Sequence, residues 1–302
     1  MLHEKVDKIR KLAVISLFYD DSLLDVFVLK GGNALNLVYG FNNRASIDID
    51  VSMESEFSED ELEEVKLKLQ QSFESVFGEE GFSVFDFKLS PTPRKLPPEY
   101  EGFWGGYTLE FKVIETERYT KLDIQGRRVQ AVVIGDDQQK KFTIDISKYE
   151  YVEPKELAKL SEYSIYVYSP VMVIYEKLRA ICQQMEDYGE IIKTHRRPRA
   201  RDFYDIHSIM EGWDTKIDLY TPYNLSMINE IFSIKRVPLS FLGNIISQRE
   251  YHREDFSSVL ASIDGKAESY DYYFDYVSKI AQSLYERFSK DSEQIAATKP
   301  TP

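Results

Sequence analysis

The sequence predicts an α+β protein in which a mixed β-sheet with flanking helices is followed by a mostly α-helical C-terminal domain. Two observations lead to this prediction. Short runs of alternating apolar and polar residues are interleaved with amphipathic helical patterns up to about residue 150. Beyond residue 168 the apolar spacing is almost entirely helical. We therefore predict an α/β domain over residues 1–168, a helical domain over residues 169–295 and a disordered tail over residues 296–302.

The elements of the first domain follow from the spacing of their apolar residues, which is 3.6 in a helix and 2 in a strand. The predicted order is a helix over 3–20, a strand over 25–30, a turn at Gly31-Gly32, a helix over 33–39, a strand over 46–52, a helix over 59–77, strands over 82–89 and 107–114, a helix over 117–133, and a strand over 141–147. Alternation in these strands predicts a sheet with one apolar face and one polar face.

The second domain begins with Ser169-Pro170, a pair typical of a helix N-cap followed by the first helical residue. Helical spacing then continues to about residue 185, and a second helix is predicted over residues 200–211. The remaining residues are rich in aromatic side chains and are predicted to be mostly helical.

Composition restricts the function classes. The chain has 302 residues, 43% of them hydrophobic, and a formal net charge of −13. That charge argues against a protein that coats nucleic acid with its whole surface, but it permits a local basic groove. The sequence has no signal-peptide pattern and no apolar run of membrane-spanning length. The single cysteine, Cys182, cannot form an internal disulfide, so we expect a cytoplasmic protein.

The segment from Lys30 to Asp50 joins a double glycine to two aspartates that lie two residues apart. Glycines at a helix N-terminus allow backbone N–H groups to approach a phosphate, although Gly31-Gly32 alone is more often a plain turn. Asp48 and Asp50 are predicted on one face of a strand, where two like charges repel unless a cation lies between them. The alternative is an edge strand with a solvated acidic face.

A third aspartate, Asp145, lies in the strand Phe-Thr-Ile-Asp-Ile-Ser and points away from the core. Alone it is an ordinary surface residue. Together with Asp48 and Asp50 it completes the set of carboxylates that a metal-dependent phosphoryl-transfer site requires. Oxygen-only ligation favours Mg²⁺ or Mn²⁺.

The helical half contains a further charged group. Lys177 lies at the edge of its helix's apolar stripe, and Asp202 and Asp205 share one face of the next predicted helix. These residues form either an ordinary salt bridge between helices or a binding site for a triphosphate. The preceding segment, residues 193–201, is rich in Lys and Arg and is either a solvated connector or a cationic rim for an RNA backbone.

Together these residues resemble the AbiEii/AbiGii toxin family of nucleotidyltransferases, within the DNA polymerase beta-like superfamily. The family pattern is Gly-Gly-x-Ala-Leu, then Arg-x-Ser-x-Asp-Ile-Asp, a strand aspartate, a Glu-Lys-Leu-Arg-Ala helix and a basic-Asp-x-x-Asp-Ile element. The matching residues here are Gly31, Gly32, Ala34, Leu35, Arg44, Ser46, Asp48, Asp50, Asp145, Glu176 to Ala180, Arg201, Asp202, Asp205 and Ile206. In two departures, Gly32 replaces the serine of the wider superfamily and Arg201 replaces a frequent lysine.

The resemblance implies a nucleotidyltransferase-like first domain and an enzyme of the 2.7.7 type that moves a nucleoside monophosphate from an NTP to an acceptor. It implies Mg²⁺ or Mn²⁺ bound by Asp48, Asp50 and Asp145. The implied catalytic residues are Asp48, Asp50, Asp145, Lys177 and Asp202. The implied NTP contacts are Gly31, Gly32, Arg44, Ser46, Lys177, Arg201 and Asp205.

The resemblance also implies a bacterial type IV toxin or abortive-infection effector with a cognate antitoxin encoded nearby and no membrane partner. Some relatives modify tRNA, so RNA is the expected acceptor. Two alternatives stay open, namely the same chemistry on a protein acceptor and a non-enzymatic NTP-binding module. The three aspartates disfavour the second alternative, because a sensor could bind a triphosphate with fewer carboxylates.

Overall fold

The computed structural model describes residues 2–41, 48–134, 138–193, 195–213, 216–263 and 266–297. They divide into two compact units, the first ending at Ser169 and the second beginning at Pro170. The first unit contains a seven-stranded sheet, and the described part of the second is built mainly from helices. This arrangement confirms the predicted α+β fold class.

The sheet of the first unit is mixed. Its strands are β1 (Val28–Lys30), β2 (Ile49–Ser52), β3 (Phe82–Thr92), β4 (Gly106–Glu115), β5 (Phe142–Ser147), β6 (Glu156–Leu160) and β7 (Tyr163–Val167). They lie in the order β3-β4-β5-β2-β1-β7-β6. The pairs β1–β7 and β2–β5 are parallel, and the other neighbours are antiparallel.

Helices of the first unit pack on both faces of this sheet. They are α1 (Leu2–Leu17), α2 (Asp21–Leu24), α3 (Gly31–Asn33) with a π-helical turn (Ala34–Val38), α4 (Glu59–Glu79), a 3₁₀ turn (Pro98–Tyr100), α5 (Thr116–Tyr119) and α6 (Ile124–Gln130). Phe73 of α4 packs edge-to-face on Phe111 of β4, with ring centroids 5.0 Å apart. Since successive strand residues point to opposite faces, the neighbours of Phe111 point away from α4.

The prediction of one helix over residues 117–133 is wrong. The segment forms the two short helices α5 and α6, because Asp123 starts a new helix by accepting the N–H of Gly126 at 2.8 Å. The segment then leaves the helix, and the N–H of Val132 donates to the carbonyl of Val113 at 2.8 Å. The antiparallel pair β6–β7 was not predicted. Of the strand predicted over residues 46–52, residues 46 and 47 lie outside the described residues, and β2 begins at Ile49.

The second unit packs its helices around a separate set of buried side chains. Its elements are α7 (Pro170–Cys182), a 3₁₀ turn (Glu186–Glu190), α8 (Ala200–Gly212), α9 (Pro222–Ser233), a 3₁₀ segment (Leu239–Gln248), α10 (Arg249–Arg253), α11 (Phe256–Ser262) and α12 (Tyr270–Ala297). Helix α7 packs against α8 and α9, and α12 packs against α8 and the 3₁₀ segment. No helix within the described ranges has the length and apolar character needed to span a membrane.

Candidate active site

Two of the predicted carboxylates are neighbours on the polar face of the sheet. Asp50 of β2 and Asp145 of β5 are direct partners across a parallel strand pair. Directly opposed residues point to the same face of a sheet, so both carboxylates lie on the face away from α4. Asp48 lies in a bend immediately before β2, and its side chain is exposed.

The aspartate pair belongs to a polar row that crosses five strands. In register from β3 to β1, the row consists of Ser90, Thr108, Asp145, Asp50 and Lys30. The row therefore places two carboxylates between hydroxyl groups on one side and an ammonium group on the other. We call these five residues the polar row.

The double glycine lies against this row. A Cβ atom built on Gly31 would be 2.8 Å from Oδ2 of Asp50, and the φ angle of Gly31 is +66°. A side chain at this position would therefore both strain the backbone and collide with the carboxylate. Two residues later, the buried Asn33 donates from Nδ2 to the backbone carbonyl of Asp48 at 2.6 Å. The segment after β1 thus leaves no room for a side chain beside Asp50 and is hydrogen-bonded to the backbone of Asp48.

Hydroxyl groups orient Asp145. The Thr108 hydroxyl donates to Oδ1 of Asp145 at 3.1 Å, and it lies 2.7 Å from the Thr92 hydroxyl. Because Thr108 has one proton and gives it to the carboxylate, Thr92 must donate to Thr108. The result is a chain of two hydrogen bonds that ends on Asp145.

The electrostatic surroundings raise the pKa of the Asp145 carboxyl above its ordinary value. The main cause is that the surrounding protein displaces water, and the Asp48 carboxylate adds to the effect. The Thr108 hydrogen bond and the ammonium of Lys30 act in the opposite direction. Asp145 is therefore a more basic carboxylate than an isolated surface aspartate.

Lys30 brings a buried positive charge to the end of the polar row. It is 6% exposed, and its ammonium lies 3.2 Å from the Ser147 hydroxyl and 3.8 Å from Oε1 of the buried Glu150. A buried ion pair of this kind fixes both side chains, since breaking it leaves an uncompensated charge. Lys30 is thus a fixed cation beside the carboxylates.

The donor set fits a metal ion that is bound together with its substrate. Asp48, Asp50 and Asp145 offer only oxygen atoms, which suits Mg²⁺ or Mn²⁺. Among the residues that the structure describes, no group of three or more His, Cys, Asp or Glu side chains is already placed to hold an ion. Mg²⁺ is usually bound by one or two carboxylates with waters and substrate phosphates rather than by an all-protein cage. The pair Asp50–Asp145 offers that number of ligands.

The second unit contains a buried ion cluster at the predicted lysine. The ammonium of Lys177 lies 2.8 Å from Oδ1 of Asp202 and 2.8 Å from Oδ2 of Asp205, and all three side chains are at most 7% exposed. Arg199 approaches the other oxygen of Asp202 at 2.5 Å. Burial alone would raise the pKa of Asp202, but the charges of Arg199 and Lys177 outweigh it and hold that pKa below its ordinary value.

The start of α8 is fixed by two side chains that the sequence did not suggest. The N–H of Arg199 donates to Nδ1 of His252 at 3.1 Å, and the N–H of Ala200 donates to Asp255 at 3.0 Å. His252 is fully buried, and burial lowers its pKa to about 4. It is therefore neutral near pH 7, which allows Nδ1 to act as the acceptor.

The basic segment over residues 193–201 has mixed roles. Arg196 donates to the carbonyl of Gln184 and pairs with Glu186 at 2.9 Å, and Arg199 is held by Asp202. Arg197 and Arg201 are exposed. Only part of the predicted cationic rim therefore faces solvent.

The remaining predicted site residues are placed as follows. Gly32 is half-buried in the first turn of α3. Arg44 and Ser46 lie outside the described residues. The carboxylates of the polar row belong to the first unit, whereas Lys177, Asp202 and Asp205 belong to the second.

Sequence reasoning missed Lys30, Asn33 and Thr108. A lysine at the end of a buried apolar run, directly before a glycine turn, was an available signal for Lys30. Thr108 could be found only from the register between β4 and β5, because a shift of one residue would move it to the opposite face.

The protein-family model described as "Nucleotidyl transferase AbiEii toxin, Type IV TA system" matches residues 16–277. Among solved structures, the chain is similar to JHP933 from Helicobacter pylori, with 18% identity, a TM-score of 0.48 and coverage of 98% of this chain and 99% of that one. It is also similar to MenT4, a nucleotidyltransferase toxin from Mycobacterium tuberculosis H37Rv, with 15% identity, a TM-score of 0.48 and coverage of 93% and 82%. No curated protein sequence matches the chain.

Proposed function

The chain belongs to the AbiEii family of nucleotidyltransferase toxins of type IV toxin–antitoxin systems, and we propose that it transfers a nucleoside monophosphate from an NTP to RNA with a divalent metal ion. Family membership makes the chain a nucleotidyltransferase with an NTP substrate, and it implies an antitoxin partner. The RNA acceptor, the metal ion and the roles of individual residues are parts of the proposal. Because both substrates are cytoplasmic, we place the reaction in the cytoplasm.

The observation that best supports this function is the pairing of Asp50 with Asp145 in the polar row. Two strands bring the carboxylates together, and Gly31 leaves room for Asp50 on the same face. Neighbouring carboxylates repel each other, so the arrangement favours the binding of a cation. Asp48, immediately before β2, supplies the third carboxylate.

In the proposed reaction, the oxygen of an RNA hydroxyl forms a bond to the α-phosphorus of the NTP. The bond from that phosphorus to the bridging oxygen breaks, and pyrophosphate leaves with the electron pair. Asp145 accepts the hydroxyl proton as the general base. Thr108 keeps the carboxylate in one orientation through its hydrogen bond.

Asp48, Asp50 and Asp145 would hold the metal ion in this proposal. When bound, Mg²⁺ or Mn²⁺ neutralises charge on the phosphate oxygens. Lys30 limits the repulsion between the carboxylates before substrate arrives, since its ammonium is fixed at the end of the polar row.

We assign Lys177, Asp202 and Asp205 to NTP binding. A buried lysine between two carboxylates is a fixed charge, and desolvating such a cluster is costly. The family pattern at these positions favours a role beyond packing. In this assignment Asp202 orients Lys177, and the exposed Arg201 adds a cation at the start of α8.

The proposal is tested by incubating the protein and Mg²⁺ with each NTP in turn, labelled at the α-phosphorus, in the presence of total RNA and total protein. Label in RNA supports the proposed acceptor, and a γ-labelled NTP should give none because the γ-phosphate leaves in pyrophosphate. Label in protein alone would favour the alternative acceptor class. NTP binding without transfer to either fraction would favour the non-enzymatic module.

A further inference from the structure

A group of exposed cations lies beside the polar row on the same face of the sheet. Lys141 pairs with Glu110 of β4 at 2.6 Å, and Lys88 of β3 is directly opposite Glu110 in register. The hydrogen bond from Lys141 lowers the pKa of Glu110 against the effect of burial, and the charges of Lys88 and Arg94 lower it further. We call Lys88, Arg94 and Lys141 the basic group.

The side chains of the basic group are accessible. Lys88 and Arg94 are exposed, and the side chain of Lys141 keeps 45% of its accessible surface despite its ion pair. All three cations act on the carboxylate of Glu110, so the group carries more positive charge than Glu110 offsets, within a chain of net charge −13. Such a local excess on an acidic protein is a candidate contact for a polyanion.

The sheet register connects the basic group to Asp145. Glu110 is opposite Thr143 of β5, and Asp145 lies two residues further along the same strand. Residues two apart on a strand share a face and are separated by about 7 Å. Phe111, which follows Glu110, packs against Phe73 of α4, so Lys88, Lys141 and Asp145 lie together on the face opposite to α4. Arg94 follows the end of β3, and its charge acts on Glu110.

We propose that the basic group binds the phosphate backbone of a single-stranded RNA acceptor whose reacting hydroxyl lies against Asp145. This inference rests on the proposed function and adds a surface to it. A strand laid along β4 and β5 would place its reacting end at the carboxylate and its preceding phosphates at the cations. Single strands suit such a surface, because a site that follows the backbone needs positive charge and no base-specific contacts.

The test compares two triple variants that lose the same charge. Lys88→Gln, Arg94→Gln and Lys141→Gln are combined in the first variant. The control combines Lys8→Gln, Lys66→Gln and Lys68→Gln on α1 and α4, where each lysine also pairs with a glutamate. Circular dichroism checks that both variants are folded.

Binding of a fluorescent single-stranded RNA oligonucleotide is measured by anisotropy over a series of NaCl concentrations, without NTP or metal. Each lost phosphate contact should reduce the slope of log affinity against log salt by about 0.7, so the first variant should lose about 2 from the slope. The control variant should keep the wild-type slope. Equal slopes for the first variant and the wild type would overturn the proposal.

A labelling assay separates this inference from the proposed function. If wild-type protein labels RNA and the first variant labels it equally well at every salt concentration, the basic group is not the acceptor surface although the function stands. If wild-type protein labels a protein fraction and the first variant loses that labelling, the surface serves a protein acceptor and the RNA assignment is wrong. Loss of RNA labelling in the first variant alone supports the proposal.

Discussion

Asp50 and Asp145 are direct partners on the parallel strands β2 and β5, although 94 residues lie between them in the sequence. Their carboxylates share the polar face of the sheet with Thr108 and Lys30. This relationship connects the double glycine, the Asp-Ile-Asp motif and the third aspartate in one site.

Gly31→Ala should abolish transfer. Its Cβ would lie 2.8 Å from Oδ2 of Asp50, so the carboxylate must move, and the φ angle of +66° adds about 1–2 kcal/mol of strain. Gly40→Ala is the matched control, because Gly40 has a φ of +73° but no heavy atom within 4 Å of the built Cβ. Steady-state kinetics and urea unfolding should show similar stability losses for both and an activity loss for Gly31→Ala alone. Equal activity in the two variants would contradict the contact with Asp50.

Thr108→Val should lower kcat about tenfold, which corresponds to about 1.4 kcal/mol, with little change in the KM for NTP. Valine keeps the branched shape but cannot donate to Asp145, which loses its orienting hydrogen bond. Thr108→Ser should restore most of the activity, since serine retains the hydroxyl. Thr143→Val, on the same face of β5, is the control for a general effect of removing a threonine. Failure of serine to rescue activity would show that the methyl group matters more than the hydrogen bond.

Lys177→Met should destabilise the protein by about 3–5 kcal/mol, because it leaves Asp202 and Asp205 buried without their shared cation. Combining it with Asp202→Asn should recover part of the loss, as measured by urea unfolding. If Lys177 also binds the NTP, the folded double variant should have a higher KM for NTP than Asp202→Asn alone. A KM equal to that of Asp202→Asn alone would make Lys177 purely structural.

Stability should fall as the pH drops from about 6.5 towards 4. His252 is neutral and buried, and its pKa is about 4 in the folded protein against 6.5 as its ordinary value. As the pH falls through this range, the unfolded chain therefore binds a proton before the folded chain does. The free energy of unfolding decreases by up to about 3 kcal/mol as a result. The His252→Asn variant should have a lower free energy of unfolding than the wild type at pH 7. That free energy should fall less on acidification in the variant than in the wild type. Parallel pH profiles for the two proteins would contradict this assignment.

The sequence alone predicted the elements whose pattern is local. The apolar stripe of α4 predicted that helix without any tertiary contact. Alternation in β5 correctly put Asp145 on the face opposite Ile144 and Ile146. Such patterns depend only on the geometry of one strand or helix, so one sequence is enough to read them.

Contacts between distant segments could not be predicted in this way. The orientation of Asp145 depends on Thr92 and Thr108, whose positions follow from the register of β3, β4 and β5. The role of Gly31 beside Asp50 likewise requires the antiparallel pairing of β1 with β2. Sequence reasoning assigned this glycine to phosphate contact, and the structure adds a neighbouring carboxylate that also requires glycine.

The most direct test of the central claim measures transfer of α-labelled nucleotide to RNA by Asp48→Asn, Asp50→Asn and Asp145→Asn, each with Mg²⁺ and with EDTA. Asp60→Asn, an exposed change on α4, is the control for the same substitution. The account predicts Mg²⁺-dependent transfer in wild-type and Asp60→Asn proteins, and loss of transfer by about a hundredfold or more in the three other variants, with the fold retained. Wild-type levels of Mg²⁺-dependent transfer in Asp50→Asn or Asp145→Asn would contradict it.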